Sequence, residues 1–599
     1  MLRRELVKRI AALPLVGLPW AASAKAAPTV RRVRPGESGW PEDDQWTALN
    51  EQVQGRLIKV ASPFADCIKA PHSDACDALF KDLRNPFFIG DNVALTQTLG
   101  WTDAWTSRPS EYAVAAESAA DVAAAVVFAR THNLRLVVKG GGHSYLGGSN
   151  APDSLLIWTR AMRAVELHDR FVPQGCAGKV VAQPAVSIGA GAIWLEAYEA
   201  VTTKGGRYVQ GGGCTTVGVA GLVQGGGFGS YSKGFGTAAA SLLEAEVVTA
   251  DGEIQLANAA INPDLFWALK GGGGGTFGVV TRLTLRTHEL PAFFGEVDAK
   301  IIASSDAAYR ALVAKTLSFY RSNLMNPHWG EQIAFRSRRR VSISMAFQGL
   351  DKAAAEETWR PYFDWVSARP SDFTLSKPSI TALPAKWSWN AAVLRLAPGA
   401  VQIDDRLGSQ RGRFFWSGDA GQVGQVIHAY QSMWLSQALL EPGNQAGLVD
   451  ALVHTAAQWG VSLHFNKGLA GAPAAAIART RETATNPAVL DAFALAIAGA
   501  EEPPAYPGVP GHEPDVVQGR AQAKAVGEAM APLLALSGRR ASYVSETDYF
   551  EIDWQSAFWG EHYGRLKAVK RRYDPGGLFF VHHSVGSEGW SSDGFAKTA

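Results

Sequence analysis

Apolar and polar positions change period several times along the chain, and each change marks an element. Trp40, Trp46, Leu49 and Val53 recur among acidic and amide residues in a way that predicts a short amphipathic helix. Tyr112 to Ala116 suits a strand. Ser118-Ala-Ala-Asp121 is a capping box that opens an alanine-rich helix to about His132, and Leu134 to Val138 is apolar and partly β-branched, as a strand requires. Glu244 to Leu256 reads as a hairpin turning at Asp251-Gly252, with Val247, Val248 and Ile254 feeding a sheet. Pro263 to Leu269 is helical and Val279 to Arg286 strand-like. From about Leu290 glycine runs thin out, aromatics increase, and Ser342 to Gln348 alternates like an antiparallel strand with one buried face. Pro503 to Pro514, rich in Pro and Gly, is a loop. Strand and helix follow one another without one regular period or an internal repeat, which predicts an α+β protein.

Composition narrows this further. A chain of 599 residues buries large cores and divides into domains. With 47% hydrophobic residues, 19% charged residues and a net charge of +2, it has no basic stripe and no long-range field to attract nucleic acid or an acidic membrane. A small molecule is the expected partner. Nineteen tryptophans are many, and Trp387 and Trp389 could line a substrate groove, although core packing accounts for most tryptophans.

Two glycine-packed segments carry the chemistry. Lys139-Gly140-Gly141-Gly142-His143-Ser144-Tyr145 and the run from Gly211 to Gly229 each set one nucleophile, His143 or Cys214, among residues that leave backbone N–H groups bare. Such runs reach positive φ, lie directly against a ligand and form anion-binding nests. A third run, Gly271 to Gly278, contains G-x-G-x-x-G, but it follows a helix and precedes a strand, the reverse of a dinucleotide fingerprint.

The stretch Val138 to Ser149 resembles the histidine loop of FAD-linked oxidases of the vanillyl-alcohol oxidase superfamily. Gly213-Cys214-Thr215-Thr216-Val217-Gly218-Val-Ala-Gly221 resembles the cysteine loop of the berberine bridge enzyme-like branch, and Trp559 to Pro575 its closing segment. The likeness runs from about Trp40 to about Trp590. It implies a two-part FAD-binding domain of the p-cresol methylhydroxylase type and FAD held bicovalently, His143 on the 8α-methyl carbon and Cys214 on ring carbon 6. Gly226, Gly227, Gly229 and Val280 join the expected cofactor-binding residues. Lys139 stands where many members have arginine; it keeps the charge and loses bidentate phosphate geometry. The implied organisation is an N-terminal extension over 27–110, an FAD-binding domain over 111–290, a substrate domain over 291–540 built on an antiparallel sheet with helices, and a segment over 541–599 that returns to the FAD domain.

The implied reaction transfers a hydride from an alcohol or hemiacetal carbon to the flavin, with dioxygen as electron acceptor and a base taking the hydroxyl proton. Where the family often has Tyr-x-Asn-Tyr, this chain has Tyr543-Val-Ser545-Glu546, so the base is open among Glu546, Asp548, Tyr543 and Tyr549, with Glu546 and Asp548 expected on one face of a closing strand. Val217 occupies the place of the family's dioxygen gate, where a small residue leaves the path open. A dehydrogenase passing electrons to a quinone or other carrier, or a non-catalytic flavin-binding protein, are the alternatives. His464 and the pair His582-His583 lack the spacing of a zinc site, and no metal is expected.

The N-terminus reads as an address. Arg3-Arg4, the apolar Ile10 to Ala22 and Ala24-Lys25-Ala26 resemble a twin-arginine signal cleaved before Ala27, which implies a periplasmic or secreted protein. The apolar stretch is too short to span a bilayer. Cys67 and Cys76 could close a small loop, as an oxidising compartment permits, and Cys176 is left over.

Overall fold

The computed structural model describes residues 31–598 apart from 398 and 539; the signal-like segment lies outside the described residues. The fold is α+β. Its first sheet has strands Leu57–Lys59, Tyr112–Ala115, Ser154–Trp158 and Arg135–Lys139 in that order, the last three parallel. Ser118 accepts from the Asp121 N–H and Asp121 reaches back, so the capping box opens helix Ala119–Thr131 where the sequence places it. That helix crosses over and delivers the chain to Arg135–Lys139, at whose C-terminal end the histidine loop begins. Loops at the carboxyl ends of parallel strands are where open sheets bind ligands.

A second, six-stranded sheet is antiparallel. Leu242–Val248 and Ile254–Asn258 form the expected hairpin, with Gly252 at φ +88°, and Leu242–Val248 then pairs with Val279–Glu289. Segments far apart in the chain close this half of the molecule. Arg32 N–H donates to Phe595 O at 2.8 Å, Trp559 Nε1 to Gly271 O at 3.0 Å, and Lys570 Nζ to Thr276 O at 2.6 Å.

The third sheet has ten strands. Strand Arg340–Gln348 alternates as its sequence predicts: Val341, Ile343, Met345 and Phe347 pack into one core with Leu312, Trp359, Leu448 and Val526 from the covering helices. The opposite face, with Ser344 and Ala346, is left to line a cavity. Strand Thr98–Trp101 runs parallel to Gln425–Ser436 at one edge, while Leu57–Lys59 joins the first sheet, so the residues before 110 are woven into two sheets. Cys67 and Cys76 form a disulfide, and Cys176 is free and buried.

One local expectation is corrected. The segment after Ala541 is no strand: the Glu546 N–H donates to Tyr543 O at 2.9 Å and closes a tight turn with Val544-Ser545 at its centre. The hydroxyls of this serine- and threonine-rich segment replace ladder hydrogen bonds, Ser432 donating to Glu546 O at 2.5 Å and Ser542 to Thr547 Oγ1 at 3.0 Å. Glu546 and Asp548 therefore do not share a strand face.

Candidate active site

A cavity of about 910 Å³ lies between the two glycine loops and the open face of the ten-stranded sheet. The loops meet by a glycine crossing. A methyl group on Gly141 would sit 2.5 Å from the Gly218 nitrogen, and one on Gly218 would sit 2.8 Å from the Gly141 nitrogen. Only bare backbone allows this approach. It brings His143 and Cys214 onto the wall of one cavity, with His143 Nε2 3.2 Å from Thr216 Oγ1.

Burial pushes the His143 imidazole down to about 4, which keeps it neutral and leaves a ring-nitrogen lone pair for bonding. Burial first, then the nearby Asp419 carboxylate, pushes the Cys214 thiol well up. Asp419 is held on the short helix Ser417–Gln422 behind a hairpin, Val401–Ile403 with Phe414–Trp416. Trp416 Nε1 donates to Gly213 O at 3.1 Å and Arg413 to Asp91 at 2.5 Å, so the hairpin is tied to the cysteine loop and to the first half of the chain.

Of the expected cofactor residues, Gly140 to Tyr145, Gly213 to Gly218, Gly221, Gly229 and Val280 line the cavity. Lys139 does not. Its ammonium points into the protein and donates to Val93 O at 2.5 Å and Leu95 O at 2.9 Å, and burial without a carboxylate partner pushes it down to about 7. Gly226 and Gly227 lie behind the wall, at φ +109° and +76°, where they turn the chain after helix Val219–Gln224. The third glycine run, set aside as a fingerprint, does reach the cavity through Gly273, Gly274 and Gly275. Its glycine density was the available signal, and the wrong element order concealed it.

Among the catalytic candidates, Tyr543 and Glu546 line the cavity. Asp548 is bound by Gln431 Nε2 at 3.3 Å and Tyr549 stacks on His582 at 3.8 Å, both outside the lining. Glu546 forms an ion pair with Lys467. Tyr145 and Tyr430 face each other with ring centroids 5.2 Å apart, and burial first, then Glu546, pushes both phenols up, so they stay protonated. Trp389 stacks on Tyr198 at 4.1 Å and borders the cavity, whereas Trp387 does not.

Sequence reasoning missed Glu331, Asp419, Asn466, Lys467 and Tyr430. Glu331 is one of few non-glycine residues at positive φ, +63°. In an ordinary strand its side chain would point with Met345, its register partner, toward the helices; the left-handed backbone turns it into the cavity beside Gln332. Such strain persists only where the surroundings enforce it, often at functional sites. Asn466 Nδ2 donates to Glu331 Oε1 at 3.3 Å, and burial pushes the Glu331 carboxyl up.

The wall fits FAD. Thr215 Oγ1, Gln224 Oε1 and Asn466 Oδ1 are buried on it without a protein partner, the sign of a polar ligand. The glycine loops present backbone for a pyrophosphate, and His143 and Cys214 flank the same space.

A family model described as an FAD binding domain matches residues 110–258, and one described as berberine and berberine like matches residues 542–586. The FAD-linked oxidoreductase easE of Trichophyton verrucosum (strain HKI 0517) is 31% identical, covering 94% of this chain and 91% of its own. Among solved structures, the VAO-type flavoprotein MtVAO615 from Myceliophthora thermophila C1 aligns with a TM-score of 0.75 at 24% identity, over 95% of this chain and all of that one. Glucooligosaccharide oxidase from Acremonium strictum, with a 6-S-cysteinyl, 8α-N1-histidyl FAD, aligns with a TM-score of 0.61 at 19% identity, over 88% of this chain and 99% of that one.

Proposed function

The chain belongs to the berberine bridge enzyme-like FAD-linked oxidoreductases, and from that premise we propose an exported oxidase that carries bicovalent FAD and oxidises an alcohol or hemiacetal carbon. The observation that carries the reading is the glycine crossing, which sets His143 and Cys214 on one cavity whose lining includes buried polar atoms with no protein partner. The nearby sugar-oxidase likeness supports a hydroxylated substrate. The Cys67–Cys76 disulfide supports an oxidising compartment, and hence the twin-arginine address. Among the described residues no helix is long and apolar enough to cross a membrane.

Bound FAD would supply the hydride acceptor. Glu546 takes the substrate's hydroxyl proton at its carboxylate oxygen, and Lys467 fixes that carboxylate in place. Tyr145 and Tyr430, kept protonated, donate hydrogen bonds to substrate oxygens and orient the carbon. Val217, on the cavity wall, leaves dioxygen a path to the flavin.

The test has two stages. Acid-precipitated protein should keep its yellow colour, and single His143→Ala and Cys214→Ala variants should each keep one bond. Anaerobic bleaching against sugars, aliphatic alcohols and aromatic alcohols then identifies the substrate, and hydrogen peroxide release on admitting air separates an oxidase from a dehydrogenase. A flavin that no substrate bleaches, or that stays reduced in air, defeats the oxidase reading.

A further inference from the structure

The cysteine bond needs a proton acceptor that the sequence motifs do not contain. Desolvation favours the thiol form of Cys214, and only the thiolate is a competent nucleophile. The charged groups that face it are Asp419, Lys467 and Glu546, and Asp419 is in turn faced by Glu331. Lys467 and Glu546 are paired with each other, and Glu331 is held by Asn466. Asp419 lines the same cavity wall as the thiol, and the Trp416–Gly213 bond fixes its short helix against the cysteine loop, next to Cys214.

We propose that Asp419 is the base that takes the Cys214 proton as the flavin thioether forms. The proposal rests on the reading of Cys214 as a flavin ligand. In the step, the S–H bond breaks and the proton passes to an Asp419 carboxylate oxygen while the sulfur lone pair forms the S–C bond at ring carbon 6. The hydrogen on that carbon leaves as a proton, and the ring is left reduced by one electron pair. Dioxygen removes that pair and becomes hydrogen peroxide, so protein thiol, FAD and dioxygen give thioether-linked FAD and hydrogen peroxide. Burial pushes the Asp419 carboxyl up to about 6, which makes it a carboxylate at neutral pH with appreciable affinity for a proton.

The test uses the full chain with His143→Ala, so that Cys214 is the remaining covalent link, incubated with FAD in air from mildly acidic to alkaline pH. Thioether is followed by the flavin that stays with acid-precipitated protein and by the mass of the peptide carrying Cys214. Asp419→Asn should form the bond at least ~100-fold more slowly at neutral pH, as for a lost general base. It should recover rate as pH rises and hydroxide takes the proton, and Asp419→Glu should keep part of the rate. Retention of noncovalent FAD through gel filtration reports that the variant is folded. Thioether formation by Asp419→Asn at the parent's rate, or a deficit that pH leaves unchanged, overturns the assignment. A parent whose Cys214 remains a free thiol overturns the bicovalent reading instead, and the assignment falls with it.

Discussion

The two walls of the cavity are built by opposite means. The wall from the histidine and cysteine loops is made by subtraction: Gly141 and Gly218 remove side chains so that two backbones touch, and its two reactive groups stay neutral, burial lowering the His143 imidazole and raising the Cys214 thiol. The wall from the ten-stranded sheet and the closing turn is made by addition. It gathers Glu331, Lys467 and Glu546, and holds Glu331 in a strained backbone to do so. The first wall fixes where a cofactor sits; the second sets what happens to protons beside it. Damage to the first should therefore cost assembly, and damage to the second should cost rate or pH response with assembly intact.

The sharpest break is Gly141→Ala. Its methyl group meets backbone on the Gly218 side, which has no side chain to move, so the loops separate; a loss of about 3 kcal/mol and failure to retain FAD are expected, read by thermal melting and bound-flavin absorbance. Normal flavin content in this variant contradicts the crossing as the organising contact. On the other wall, Glu546→Gln should keep full flavin content and slow anaerobic flavin reduction ~100-fold. A rate within a few-fold of the parent moves the proton acceptor to Glu331, a further carboxylate on the cavity wall. Val217→Leu returns to the first wall: reoxidation in air should slow about tenfold, as one methylene costs in a tight apolar passage, while reduction is unchanged in stopped-flow traces.

The smallest effect concerns stability. Burial raises the folded-state Glu331 carboxyl above its unfolded value of 4.5, so the contribution of this group to stability is present below that pH and is lost as pH rises through the folded value. Glu331→Gln does not titrate. Its melting temperature should gain on the parent's as pH climbs above 4.5 and converge with it in acid; a constant offset across that range removes burial as the cause.

Local signals specified the regular elements of both walls well. The Ser118 capping box, the Asp251-Gly252 hairpin and the alternation in Ser342–Gln348 each depend on neighbours within a few residues, and each forms as its sequence predicts. His143 and Cys214 stood out because glycine runs and nucleophiles are visible without a fold. Less was legible where short polar residues decide between sheet and turn, as at Ser542 to Thr547, where side-chain hydrogen bonds won over the ladder. Lys139 misled for a related reason: its charge was plain, but its direction was set by the carbonyls of residues 93 and 95, which only packing brings to it.

The sequence by itself determined the element types, the two glycine loops and the pair of residues able to bond a flavin, because backbone freedom and nucleophilicity are properties of single residues and their neighbours. Tertiary structure alone decided which charges meet. Glu331, Asp419, Lys467 and Glu546 lie on four separate segments, and of these only Glu546 stood out locally, in Tyr543-Val-Ser545-Glu546. Their chemistry arises from distance and desolvation, which exist only after the sheet, the hairpin and the closing turn have enclosed one cavity.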